Sequence, residues 1–219
     1  MTDSKLHLWH LVSPALPIGA YAYSQGLESA IENGWLAAPD TLDDWFGGLL
    51  SEGLARTDLP VLLRCLDAWQ CTDTDALAYW NDWLRASRET SELLLEDEQM
   101  GFALWRLLND LGAPDSALQS PPSYTCQFAR ACSFWQIDAV DALPGYAWSW
   151  LENQVTAATK LVPLGQTAAQ RHLLALMPRI AEACERARTI ADRDLGGSLP
   201  GLAMASAAHE QQHARLFRS

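Results

Sequence analysis

The chain has 219 residues, 49% hydrophobic and 19% charged, which excludes a wholly disordered polymer and fits one domain or two small ones. Its 15 Lys and Arg stand against 27 Asp and Glu, a net charge of −12 that disfavours nucleic-acid backbones and anionic membrane surfaces. No apolar run approaches the roughly 20 residues of a bilayer span, the polar start Met1–Lys5 opens no export signal, and five cysteines without CxxC spacing favour reduced thiols, so the expected location is cytoplasmic.

Residues 1–12 read as an N-terminal segment free to be mobile. The stretch Ser13 to Glu28 then combines two prolines, two glycines and two tyrosines, more backbone constraint than a plain linker needs. Asn33-Gly34 marks a turn. Thr41 precedes an acidic first turn, Asp43 and Asp44, and Asp58 can cap a helix carrying Pro60 in its first turn. Leu93, Met100, Leu104, Leu107, Leu108 and Leu111 repeat with the period of one helix face. Gly112 to Pro122 reads as a connector within one domain, and Ser123 caps a helix from Tyr124 to Gln136. Thr167-Ala168-Ala169-Gln170 fits a capping box that opens a helix to Met177. Pro178 is expected to end or kink that helix before a second run reaches about Ala191. No clean strand alternation occurs. The expected fold is all-α, a single-domain bundle of about ten helices over 1–219 without a β-sheet.

Few motifs carry chemistry. His209-Glu210-Gln211-Gln212-His213 matches HExxH, which on a helix can hold zinc with a glutamate base. No third ligand follows it, so the simpler reading is a polar face of the last helix. Ser24 lacks a nucleophile elbow, and no phosphate-binding loop is present. Cys126 and Cys132 read as buried thiols. Glu96-Asp97-Glu98 reads as a solvated helix face, with a cation or basic partner as the alternative. Trp80, Trp83 and Trp105 read as core, although ten tryptophans exceed what a core needs and leave some for an interface. Lys160 sits in an apolar stretch, either snorkelling to solvent or marking a contact. Arg215-Leu216-Phe217-Arg218-Ser219, an apolar pair between two arginines at a chain end, has the form of a docking peptide. A zinc hydrolase and a helical ligand-binding module remain as the competing classes.

Three ordered blocks, Ser13–Leu36, Lys160–Arg171 and His209–Ser219, together resemble the urease accessory protein UreF family. A weaker block runs from Arg88 through Gly101. The resemblance implies an all-α, non-enzymatic homodimer that bridges UreD/UreH and the GTPase UreG while nickel enters the urease apoprotein. Nickel would be handled by the complex rather than held by this chain, and no cofactor is implied. The same resemblance places Arg215, Leu216, Phe217 and Arg218, in a C-terminal docking helix and tail over 209–219, on UreD/UreH. It places Lys160, Leu164, Gly165 and Gln166 near the surface used with UreG. Tyr21, Tyr23, Ser24, Gln25, Gly26 and Glu28 fill the N-terminal signature of partner-binding residues. His213 stands where tyrosine is usual, which makes the HExxH match accidental.

Overall fold

The computed structural model describes residues 3–36, 39–115 and 118–219. Among them every regular element is helical: α1 (Asp3–Leu11), α2 (Leu27–Glu32), α3 (Pro39–Gly48), α4 (Asp58–Cys71), α5 (Thr74–Ser87), α6 (Ser91–Asp110), α7 (Tyr124–Phe134), α8 (Ala139–Leu161), α9 (Gln166–Thr189) and α10 (Pro200–His209). A π-helical stretch, Leu49–Leu54, continues α3, and single 3₁₀ turns occupy Ala20–Ala22 and Asp192–Asp194. The all-α expectation holds.

The centre is the α4–α7 pair, flanked by α6 and α8, with α9 packed against α8, α4 and α3. Leu59, Leu62, Leu104, Leu108, Phe128 and Leu143 are fully buried there, drawn from the apolar stripe of each helix. Cys65 and Cys126 meet across α4 and α7 with sulfurs 3.4 Å apart as free thiols, and Cys132 is also a buried free thiol; burial of Cys126 and Cys132 matches the sequence expectation. Trp80 is buried and Trp83 packs half-buried against the core. One close approach dictates a residue type: a Cβ on Gly101 would lie 2.0 Å from the Pro122 carbonyl oxygen, so only glycine lets α6 meet the loop before α7.

Several local expectations are corrected. Ser123 does cap α7, its Oγ accepting from the Cys126 amide at 3.2 Å, although α7 ends at Phe134. Thr41 lies inside α3, which begins at Pro39. Asp58 begins α4 but turns its carboxylate inward onto Arg88 instead of capping. Gly165 takes the cap position of α9 with no side-chain cap, so Thr167–Gln170 is not a capping box. Pro178 neither ends nor divides α9, and Pro144 sits inside α8 in the same way. Each proline follows by four an exposed residue, Leu174 and Val140, so the carbonyl left without its helical partner lies on the solvent side. Residues 3–11 form a helix that places Leu8 against Gly145 of α8 and buries Leu11.

Among the described residues, no helix is long and apolar enough to cross a membrane.

Candidate functional site

The chain ends by folding back on itself. α10 stops at His209, and residues 210–219 run without regular structure across α2, α6 and the Ser13–Gly26 segment. Two backbone bonds fix the register: the Arg218 amide donates to the Ala22 carbonyl at 2.8 Å, and the Ser24 amide donates to the Ser219 carbonyl at 2.7 Å. The Ser24 hydroxyl donates to that same carbonyl at 2.7 Å.

Glu28 is the main clamp. Its two carboxylate oxygens accept from the Leu216 amide at 2.8 Å and the Phe217 amide at 2.9 Å, bonds strengthened by the charge. The carboxylate also faces His209 Nε2 at 3.3 Å. The other nitrogen, His209 Nδ1, meets Glu92 Oε2 at 2.8 Å, and Arg215 Nη1 donates to Glu92 Oε1 at 2.7 Å. His209 is therefore wholly buried between two carboxylates. The HEQQH segment is not a metal-binding helix, because the helix ends at its first residue and His213 is exposed. Among the described residues, no group of three or more His, Cys, Asp or Glu is placed to hold a metal ion.

Gly26 makes this crossing possible. Its φ of +75° lies in the left-handed region, and a Cβ there would stand 2.9 Å from the Ser206 amide nitrogen of α10. Beneath the tail, Ser219 Oγ donates to Glu96 Oε2 at 2.6 Å and Gln25 Nε2 donates to Glu96 Oε1 at 2.7 Å. Gln25 in turn accepts from Trp150 Nε1 at 2.8 Å, and the Tyr23 hydroxyl donates to Gln99 at 2.6 Å. Burial pushes the Glu96 carboxyl up to about 7, against the opposing pull of the Ser219 and Gln25 hydrogen bonds. Burial also raises Tyr23, with the Arg218 guanidinium working against it.

A second buried network lies next to this one. Arg88 Nη2 reaches Asp58 Oδ1 at 2.7 Å and Asp97 Oδ1 at 3.2 Å. Thr57 and Thr125 donate hydroxyl hydrogen bonds to Asp58, and the Tyr124 amide donates to Asp97 at 3.0 Å. Burial would lift Asp58, but Arg88 and the two hydroxyls outweigh it, so its carboxyl sits below its ordinary range. For Asp97 burial wins over Arg88 and its carboxyl is raised. A cavity of about 150 Å³ runs past Arg88, Asp97, Glu96 and Tyr21. Glu96 and Asp97 are thus interior groups, which corrects their reading as a solvated face.

The outer surface of the tail meets the α8–α9 corner. Lys160 Nζ stands 5.2 Å from the Phe217 ring centre, a cation–π contact. Lys160, Gly165, Gln166, Arg215, Leu216 and Arg218 are exposed, and Leu164 is half-buried. Tyr21 and Gln25 are half-buried as well. Tyr23, Ser24, Gly26, Glu28 and Phe217, expected at a partner surface, instead face inward, and Ser24 and Glu28 bond the tail there. The amino-acid pattern brought forward all these residues, took Glu96 for a solvated face, gave Glu92 and Gln99 no role beyond the weaker block, and did not single out Trp150. A usable signal existed for α6: Glu96 and Asp97 fall in register with Leu93, Met100 and Leu104 on the buried face.

Comparison with known proteins places this geometry in a family. A family model described as UreF matches residues 36–177. A protein of Teredinibacter turnerae named urease accessory protein UreF is 56% identical over 222 residues, covering 100% of both chains. One of the same name from Hahella chejuensis is 51% identical over 216 residues, 98% of this chain and 97% of its own. Another, from Alkalilimnicola ehrlichii, is 50% identical over 215 residues, 97% of this chain and 94% of its own.

Proposed function

The chain belongs to the UreF family of urease accessory proteins, and from that premise we propose that it is a non-enzymatic scaffold in urease maturation, bridging UreD/UreH and the GTPase UreG. Nickel then passes to the urease apoprotein within the assembly and is not held by this chain. The scaffold works in the cytoplasm as a homodimer, and its contacts modulate GTP hydrolysis by UreG.

The observation that supports this reading is the contact between Lys160 and Phe217. It joins two sequence blocks into one exposed surface. Lys160 and Arg218 give that surface positive charge on a chain whose net charge is −12, Arg215 being paired with Glu92. A local field of opposite sign to the whole molecule favours one orientation of an acidic partner. Leu216, 61% exposed, and Leu164 add apolar area beside the charges. Arg215, Leu216, Phe217 and Arg218 are assigned to UreD/UreH, and Lys160, Leu164, Gly165 and Gln166 to UreG, so the two partners would sit side by side.

The test is co-purification of the full chain with UreD/UreH and UreG of the same host. Lys160→Glu should lose UreG and keep UreD/UreH. Retention of UreG by that variant at wild-type level would sink the assignment of the corner.

A further inference from the structure

The cavity of about 150 Å³ lies between the Ser13–Gly26 segment and α6. A single water needs about 10–15 Å³ of such space, so a molecule of several heavy atoms fits. Leu11, Leu16, Ile18, Leu93 and Met100 are its apolar lining. Its charged lining includes Asp58, Arg88, Glu96 and Asp97, three carboxylates against one guanidinium. Arg88 does not neutralise them all. It binds Asp58 through Nη1 at 3.3 Å and Nη2 at 2.7 Å, and reaches Asp97 through Nη2 at 3.2 Å.

Acceptors are left over. Asp97 is 6% exposed, and its Oδ2 has no hydrogen-bond partner. Glu96, 4% exposed, is met by two neutral donors, the Ser219 hydroxyl and the Gln25 amide. Asn153, which lines the cavity from α8, has a buried Oδ1 without a donor. Buried acceptors without donors cost free energy that an entering donor recovers. At the exposed rim Glu52 is taken by Arg56 and Arg186, whereas Glu89 is bound by neutral donors, the Ser198 hydroxyl and the Leu199 amide. An acid at the mouth of a negatively lined cleft draws cations towards it. Among the described residues no group of three or more His, Cys, Asp or Glu is placed to hold a metal ion, and the apolar lining suits a carbon skeleton.

We propose that this cavity binds a small organic cation, its ammonium group donating to Asp97 and Glu96 and its apolar body lying against Leu16, Ile18 and Met100. The three N–H donors of a primary ammonium equal in number the acceptors offered by Asp97, Glu96 and Asn153. A neutral molecule of the same shape gains the apolar contacts and leaves the excess negative charge unmatched. The site does not depend on the scaffold reading, because it belongs to the isolated chain.

The experiment uses the full-length chain with its methionine methyl groups labelled with carbon-13. It is titrated with benzylammonium chloride at pH 8, above the value of about 7 to which burial lifts Glu96. Met100 lines the cavity, whereas Met177 and Met204 are exposed outside it. The Met100 resonance should shift and saturate in about the millimolar range, with Met177 and Met204 unmoved. Benzyl alcohol, the neutral analogue, should bind at least about tenfold more weakly, and Glu96→Gln should weaken benzylammonium by about tenfold. Equal binding of the alcohol, or no saturable Met100 shift, overturns the proposal. Where Glu96→Gln does not fold, the comparison with the alcohol decides on the parent chain. Zinc chloride alone, shifting Met100 at lower concentration than benzylammonium, would overturn the organic cation in favour of a metal ion.

Discussion

Lys160 and Phe217, 57 positions apart in the chain, meet with the ammonium 5.2 Å from the ring centre. The ring is buried and the ammonium stem lies at the surface. The contact brings the end of α8 onto the docked tail.

Lys160→Ala removes that contact and leaves Phe217 in place. The cost to stability should be small, about 0.5–1 kcal/mol, because the ammonium is largely solvated. Denaturant unfolding checks it. A fall well beyond that range would mean that Lys160 supports the core and is not chiefly a surface residue.

Glu28→Gln replaces a carboxylate that accepts two tail amides and faces His209. An amide offers one acceptor and one donor, so one tail amide loses its partner. The expected loss is about 2–3 kcal/mol for a charged acceptor. Trypsin should then cut after Arg215 and Arg218 faster than in the parent, with helix content by circular dichroism almost unchanged.

Gly26→Ala strains the backbone at φ +75° and drives a methyl to 2.9 Å from the Ser206 amide. A cost of about 1–3 kcal/mol is expected. Its mark should be local: faster amide exchange in α10 and the tail than in α4 and α7.

Arg88→Met leaves Asp58 and Asp97 buried without their cation, a change expected to cost about 3–5 kcal/mol near pH 7. Asp58 is held below its ordinary range in the folded chain, so the stability it contributes is present above that range and lost on acidification. The gap between parent and variant should therefore narrow as pH falls through about 4. A gap that widens towards acid pH contradicts the assignment of Arg88 as the partner of Asp58.

Much of the fold was legible because burial leaves a periodic trace. Leu93, Met100, Leu104 and Leu108 gave α6 its face, and Ser123 marked the start of α7. Pro178 misled because the rule against proline assumes that the lost hydrogen bond cannot be replaced, whereas Leu174, four residues before it, is 61% exposed. The tail was recognised as a distinct device, but its support was not. Glu28 and His209 are 181 positions apart, and no local pattern tells a buried, paired histidine from an exposed one. Glu96 and Asp97 looked solvated because charge usually is; their register with the apolar face was the overlooked sign.

The central claim is that the docked tail and the Lys160 corner form one scaffold surface. The most direct measurement is light scattering after size exclusion, on the chain mixed with UreD/UreH and UreG of its host, with and without Arg215–Ser219. The account predicts one stable species containing all three proteins for the full chain. The truncated chain should keep its helix content and fail to bind UreD/UreH. A ternary complex of unchanged mass and stability formed by the truncated chain would contradict it.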